Sequence, residues 1–217
     1  MAKRRKVGNL LALAVLSTLI GKPMHPYEIA SVMRERGKDQ DLKVKWGSLY
    51  TVVQNLEKHG FVEAAETVRQ GGRPERTVYR LTEAGHAEVK DWVRELVGVP
   101  EPEYPRFKAG LSNLLVLDPD DAMQLLQTRL TALEPQLAAA RAEITRFSQE
   151  LPRLLLIETE YDLAVREAEA AWTRSVLDEL KSGAMPGVEQ WRTWHQTGEI
   201  PAELVEMAER GTTSSTE

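Results

Sequence analysis

The sequence predicts a mainly α-helical protein that carries one small β-hairpin. Three observations support this prediction. Apolar residues recur at the spacing of helices through most of residues 7–97, and only residues 62–69 and 76–82 change to the alternation of short strands. A proline-rich segment, residues 98–105, interrupts both patterns. Beyond it, two long stretches repeat apolar residues at helical spacing, the first of them in regular steps of four and three.

These patterns divide the chain into four parts. We expect residues 1–97 to form the first domain and residues 98–106 a stiff linker. Residues 107–182 are expected to form an antiparallel, coiled-coil-like helical domain. Residues 183–217 form a C-terminal extension, whose last seven residues are rich in serine and threonine and are predicted to be disordered.

Composition restricts the class of protein. The chain has 217 residues and no cysteine, which excludes disulfides and zinc–thiolate sites. The absence of cysteine fits a cytoplasmic location, which we expect. The N-terminus superficially resembles a signal peptide, but Asn9, Ser17 and Thr18 dilute its apolar run and no cleavage site follows. The same run is too short to span a membrane, so no membrane association is expected.

The net charge of −5 conceals an asymmetry between the two halves. Residues 1–97 hold 17 Lys and Arg against 12 Asp and Glu, a balance of +5. The remaining residues hold 28 − 17 = 11 basic and 33 − 12 = 21 acidic residues, a balance of −10. This polarity indicates that only the first half meets a polyanion.

Residues 46–61 are predicted to form the central helix of the first domain. Leu49, Val52, Val53 and Leu56 share one face at helical spacing. The opposite face is polar and nearly free of carboxylates, since only Glu57 interrupts it. Such a face suits base-pair edges and neighbouring phosphates. An ordinary amphipathic helix with a solvated face is the alternative.

The neighbouring elements favour the DNA-reading interpretation. A helix is predicted over residues 7–20, a second from Pro26 to Gly37, and a fourth after Thr82. The order is helix, helix, helix, strand, turn, strand, helix, which is typical of a winged helix-turn-helix. The third helix then enters the major groove, and the glycine-rich turn containing Arg73 forms the wing.

Three segments carry a resemblance to a known family: MHPYEIA at 24–30, WGSLYTVVQNLEKHGF at 46–61, and GGRPERTVYRLTEAG at 71–85. Together they resemble the PadR family of bacterial, mostly repressing, winged helix-turn-helix regulators. The resemblance extends over about residues 10–181. It departs at Pro26, where the family more often has glycine, and at the bulky Trp46. It implies a C-terminal dimerisation domain and a small aromatic or hydrophobic effector.

The expected partner is double-stranded DNA. Ser48, Tyr50 and Thr51 are expected to hold the backbone at the start of the third helix, and Gln54 and Asn55 to pair with bases. The predicted phosphate contacts are Lys3, Arg4, Arg5, Lys6, Lys43, Lys45, Lys58, Arg69, Arg73 and Arg76.

The second expected partner is another copy of the chain. The predicted homodimer interface consists of the large apolar residues Leu126, Leu130, Leu133, Leu137, Ile144, Phe147, Ile157, Tyr161, Val165 and Trp172. The helical spacing alone shows only that helices pack, so pairing within one chain is the alternative. The candidate effector residues are Trp92, Tyr104, Phe107, Tyr161 and Trp172, which are otherwise plain core.

No enzyme is expected. The four histidines form no ligand-spaced set, so neither a metal nor a cofactor is predicted. Glu158, Glu160 and Asp162 are more typical of a solvated helix face than of an acid/base pair. The predicted function is that of a homodimeric repressor of a palindromic operator, released by an effector. Two alternatives remain: a winged-helix adaptor that binds protein partners, and an effector-binding protein without functional DNA contact.

Overall fold

A computed structural model of the chain describes residues 5–37, 46–68, 76–202 and 205–206. The chain divides into two compact units, Met1–Glu103 and Tyr104–Glu217. The division falls inside the segment 98–106 that we predict to be a linker.

The first unit has the predicted order of elements. These are α1 (Leu10–Leu19), α2 (Pro26–Glu35), α3 (Leu49–Lys58), β1 (Val62–Val68), β2 (Arg76–Leu81) and α4 (Glu83–Gly98). The mainly helical class with a two-stranded antiparallel hairpin is confirmed, and so is the winged helix-turn-helix arrangement of the first unit.

Local capping explains where these helices begin. Asn9 accepts a hydrogen bond from the Ala12 amide at 2.8 Å, so α1 begins three residues later than the apolar pattern predicts. His25 caps α2 in a capping box with Glu28, and Pro26 occupies the first turn. Ser48 makes no such side-chain cap, because the short 3-10 turn Trp46–Ser48 leads directly into α3.

The hairpin pairs Val62 with Leu81, and a bulge shifts the register between Ala64 and Glu66. Met24 exchanges two backbone hydrogen bonds of 3.0 Å with Tyr79 and so extends the sheet by a single residue. These contacts fix the hairpin against the chain just before α2.

The core of the first unit collects the apolar faces of the four described helices and the base of the hairpin. Its fully buried members include Leu16, Ile29, Met33, Leu49, Val53, Leu56 and Val62. The predicted apolar face of α3 is therefore the face that holds this helix in the domain.

The corner between β2 and α4 explains part of the motif YRLTEAG. The Thr82 side chain accepts a hydrogen bond from the Gly85 amide at 3.0 Å, and its hydroxyl donates to the Gly60 carbonyl at 2.6 Å. A Cβ on Gly85 would lie 2.0 Å from the carbonyl oxygen of Phe61. Only glycine permits this close approach of α4 to the chain after α3.

The second unit contains α5 (Arg106–Leu111), α6 (Pro119–Phe147), α7 (Ile157–Ser182) and α8 (Val188–Thr197), with 3-10 turns at Leu114–Val116 and Arg153–Leu155. The single helix predicted over residues 107–117 is split in two. Ser112 and Asn113 donate side-chain hydrogen bonds to the carbonyls of Lys108 and Ala109 and end α5 early. Helix α6 runs unbroken through Pro135, where the sequence predicts a bend.

Helices α6 and α7 pack against each other in antiparallel orientation, as shown by Arg129–Glu169 and Lys181–Gln127. The α6 seam predicted from the sequence is buried at its start, with Leu126, Leu130, Leu133 and Leu137 at most 8% exposed. This burial arises within one chain, so these four leucines are intramolecular core. Their assignment to the interface between two copies is corrected.

The packed face of α7 does not include the four α7 residues that we assign to the interface between copies. Its buried residues are Ala170, Thr173, Leu177 and Leu180. The larger apolar residues that the sequence pattern favoured, Ile157, Tyr161, Val165 and Trp172, are 46–71% exposed. The packed face thus combines two small side chains, Ala170 and Thr173, with two leucines, and a search for large apolar residues overlooks the small ones.

The C-terminal extension adds α8 to the second unit. Val188 and Trp191 are buried in one cluster with Leu126, Leu177 and Leu180. The Trp191 indole donates to the carbonyls of Leu117 at 2.9 Å and Leu115 at 3.2 Å. Helix α8 therefore covers the N-terminal part of α6.

Candidate nucleic-acid interface

Helix α3 separates its apolar and polar residues completely. Leu49, Val52, Val53 and Leu56 are at most 3% exposed. The residues between them face solvent, namely Tyr50, Thr51, Gln54, Asn55, Glu57 and Lys58. Since a folded domain holds the apolar face, the polar face is presented on a rigid support.

The chemistry of this face matches the predicted DNA contacts. Gln54 and Asn55 are exposed in the middle of α3, and each offers one acceptor and two donor hydrogens for a base edge. Thr51 is exposed in the first turn, whereas Ser48 is half-buried before it. Lys58 in the last turn supplies a positive charge for a phosphate.

The N-terminal ends of α2 and α3 lie side by side. The ring of His25, which caps α2, is 6.3 Å from the ring of Tyr50 in an edge-to-face arrangement. Tyr27, in the first turn of α2, is 64% exposed beside this pair. Our sequence prediction omits Tyr27. The signal for it was the segment HPY, since a residue just after a capped helix start stands at the exposed end of that helix.

The carboxylate on α3 is held by the hairpin. The Tyr79 hydroxyl donates to Glu57 at 3.5 Å. The pKa of Tyr79 is raised, because burial and the neighbouring negative charge of Glu57 both disfavour the phenolate. The hydroxyl therefore remains a donor that holds Glu57 on the hairpin side.

Arg5 is placed inside the first unit, although the sequence predicts it to contact phosphate. Its side chain is 4% exposed and pairs with Glu88 at 2.6 Å, Asp91 at 3.3 Å, and Glu95. Its guanidinium lies 5.0 Å from the centre of the Trp92 ring. Burial lowers the pKa of Arg5, but hydrogen bonds to Glu88 and Glu95 outweigh it, so the pKa is raised overall. Arg5 is engaged by the carboxylates of α4.

The other predicted phosphate contacts differ in what the structure describes. Lys6 is exposed and pairs with no carboxylate among the described residues. Arg76 begins β2, and its side chain is not described. Six residues lie outside the described residues: Lys3, Arg4, Lys43, Lys45, Arg69 and Arg73.

The candidate effector residues are divided between the two units. Trp92 is 4% exposed in the core of the first unit, whereas Tyr104 is 89% exposed and Tyr161 71% exposed in the second. Only Phe107 and Trp172 touch, with ring centres 6.0 Å apart. Helix α3 is thus the best-formed candidate site.

The Phe107–Trp172 pair carries a charged neighbour that the sequence prediction overlooks. The guanidinium of Arg129 lies 3.7 Å from the centre of the Phe107 ring, and Arg129 pairs with Glu169 at 2.5 Å. Aromatic faces, a cation and a carboxylate therefore meet at the surface of the second unit. No sequence motif marks this group, because its members come from three different helices.

The described residues contain no group of three or more His, Asp or Glu side chains placed to hold a metal ion. None of their helices combines the length and the hydropathy required to cross a membrane.

Comparisons with known proteins match this geometry. Residues 15–91 match the model of the Transcriptional regulator PadR-like family. The negative transcriptional regulator PadR of Bacillus subtilis is 26% identical over 130 residues, which are 60% of this chain and 70% of that protein.

Two crystal structures of Bacillus subtilis PadR share the fold. The complex with operator DNA is 21% identical with a TM-score of 0.65, and covers 79% of this chain and 99% of that one. The complex with p-coumaric acid is 20% identical with a TM-score of 0.65, and covers 80% of this chain and 99% of that one. The motifs, the winged helix-turn-helix and these matches together place the chain in the PadR-like family of transcriptional regulators.

Proposed function

We propose that this protein is a sequence-specific DNA-binding repressor. It acts as a homodimer on a roughly palindromic operator and is released by a small aromatic or hydrophobic effector. The observation that carries the proposal is α3, whose apolar face is buried and whose polar face is exposed. The relative crystallised with operator DNA, itself a negative regulator, supports the same function.

The DNA contacts are divided between the N-terminal end and the middle of α3. Thr51 and Tyr50, with the adjoining backbone amides and the half-buried Ser48, hold a phosphate at the N-terminal end. Gln54 and Asn55 pair with bases, each contributing about 1–3 kcal/mol of discrimination. Lys6, Lys58, Arg76 and the basic residues outside the described ranges contribute the salt-dependent, sequence-independent part of the affinity. Arg5 is left out of this set.

The homodimer uses the outer face of α7. Ile157, Tyr161, Val165 and Trp172 follow one another at steps of four, four and seven residues, and all are well exposed in the single chain. Exposed apolar stripes of this kind are typical of interaction surfaces. A palindromic operator requires the two α3 helices of such a dimer to contact half-sites about 34 Å apart, one turn of DNA.

The effector is proposed to bind at the Phe107–Trp172 pair. The p-coumaric acid complex of the relative supports an aromatic effector. An aromatic ligand can pack as a third ring against the edge-to-face rings of Phe107 and Trp172. The guanidinium of Arg129 above Phe107 supplies a positive charge beside this ligand.

A gel shift tests the DNA-binding proposal. The full chain is mixed with DNA from just upstream of its own gene and with a shuffled duplex of the same composition, at two salt concentrations. We expect a selective shift at low salt that weakens steeply as salt rises. Equal shifts of both duplexes contradict sequence-specific reading.

The second candidate function is a winged-helix adaptor that binds a protein through its acidic half. Residues 1–97 carry a balance of +5 and the remaining residues a balance of −10. This asymmetry favours the adaptor only if the basic half does not bind DNA. A chain that shifts neither duplex at low salt supports the adaptor over the repressor.

A further inference from the structure

Arg5 occupies a site that the fold builds for it. Glu88, Asp91 and Glu95 lie at steps of three and four along α4 and therefore share one face. Arg5 pairs with all three, and its guanidinium also approaches the face of Trp92. Four partners for one side chain make this the most extensively bonded cation among the described residues.

The environment of Arg5 differs from that of Lys6, the basic residue beside it. The side chain of Arg5 is 4% exposed, whereas Lys6 is exposed and has no ion pair within the described part of the chain. A guanidinium keeps its charge at every ordinary pH, so only loss of the carboxylates would release it. Arg5 is therefore bound to α4, whereas Lys6 is available to bind an anion from outside the chain.

We propose that Arg5 is a positioning residue for DNA binding. It anchors the chain beside Lys6 to α4, so that Lys6 meets the phosphate backbone at a fixed place, while Arg5 itself contacts no DNA. The inference rests on the proposed function, because it requires that the chain binds DNA. It assigns α4, which carries no predicted DNA contact, an indirect role in affinity.

The physical reason is the entropy of the N-terminal segment. An unanchored cation must be ordered when it binds a phosphate, which reduces the net gain from the contact. The contacts of Arg5 with α4 order the chain next to Lys6 before DNA binds. One phosphate contact changes affinity by about fivefold at about 0.15 M salt, since affinity follows roughly the −0.9 power of salt for each contact.

A double-mutant cycle tests the anchor. Affinity for the upstream duplex is measured by fluorescence anisotropy for the wild type, Arg5→Gln, Lys6→Ala and the double variant, at a temperature at which circular dichroism shows each chain folded. We expect Lys6→Ala to weaken binding about fivefold in the wild type, but less than twofold when Arg5 is already replaced. Independent, multiplying effects would overturn the proposal.

Replacing the carboxylates that bind Arg5 provides a second test. Anchoring by Arg5 and direct phosphate contact by Arg5 predict opposite changes in DNA affinity. Glu88→Gln/Glu95→Gln is compared with Glu101→Gln/Glu103→Gln, exposed residues whose replacement changes the net charge equally. The anchor predicts weaker binding for the first pair than for the second. If Arg5 were a competing phosphate contact, freeing it would tighten binding, and this result would overturn the proposal.

Arg5→Lys keeps the test decisive if Arg5→Gln does not fold. Lysine preserves the charge but lacks the forked geometry that spans several carboxylates. The anchor therefore predicts weaker binding and, because the Lys6 phosphate contact is lost, a salt slope that is smaller by about 0.9. Binding equal to the wild type overturns the anchor. A wild-type chain that binds no DNA at low salt instead refutes the proposed function, which separates the two failures.

Discussion

At the scale of single residues, the structure gives physical reasons for sequence features that a motif only records. Gly85 in the motif YRLTEAG is required because α4 starts against the Phe61 carbonyl, which also accepts a hydrogen bond from the Thr82 amide at 3.1 Å. For Thr173, by contrast, the described part of the chain shows no contact that explains its hydroxyl. It is fully buried in α7, and its hydroxyl has no hydrogen-bond partner among the described residues.

Gly85→Ala should destabilise the first unit. The added Cβ would lie 2.0 Å from a backbone oxygen, so α4 has to shift. We expect a loss of at least about 2 kcal/mol in the free energy of unfolding, measured by chemical denaturation. Gly110→Ala is the control, because a Cβ there meets nothing within 4 Å in α5. Equal stability of Gly85→Ala and the wild type would contradict the close approach.

Thr173→Val should stabilise the second unit. Valine has nearly the same shape and removes a buried hydroxyl that lacks a partner, so we expect a gain of about 1 kcal/mol in thermal or chemical unfolding. Thr131→Val is the control, since its exposed hydroxyl donates to the Gln127 carbonyl at 3.0 Å. A clear loss of stability in Thr173→Val would mean that the hydroxyl has a partner in the working protein.

At the scale of elements, α7 carries two apolar faces where the sequence pattern indicates one seam. The inner face packs on α6 through Ala170 and Leu177, and the outer face exposes Tyr161 and Trp172. The pattern selected the outer face because it favours large side chains. The inner face combines the small Ala170 and Thr173 with Leu177 and Leu180, and its burial depends on a partner helix that periodicity alone does not identify.

Replacing an outer residue of α7 should separate the proposed dimer. Val165→Asp places a charge in the apolar stripe, which has to be desolvated on association. We expect the chain to become a monomer in sedimentation velocity while its helical circular dichroism is retained. Glu167→Gln is the control, since its partner Arg141 lies within the same chain. A dimer that survives Val165→Asp would place the interface elsewhere.

At the scale of the whole molecule, the sequence predicts a basic domain and an acidic helical domain, and the structure divides the chain between Glu103 and Tyr104. The apolar periodicities and turn signals of the first domain agree with its observed elements, because each is decided by local contacts. The carboxylate partners of Arg5 and Arg129 lie 40 or more residues away along the chain. No local pattern marks them, so sequence reasoning placed Arg5 on DNA and missed Arg129.

The central claim is that α3 reads bases, and one measurement tests it most directly. Affinities of the wild type and Gln54→Ala are compared on the selected upstream duplex and on a set of single base-pair changes, at one salt concentration. Gln136→Ala, an exposed glutamine on α6, is the control. The account predicts that Gln54→Ala loses about 1–3 kcal/mol of discrimination at one base pair per half-site and keeps the salt dependence. A base preference identical to that of the wild type would contradict it.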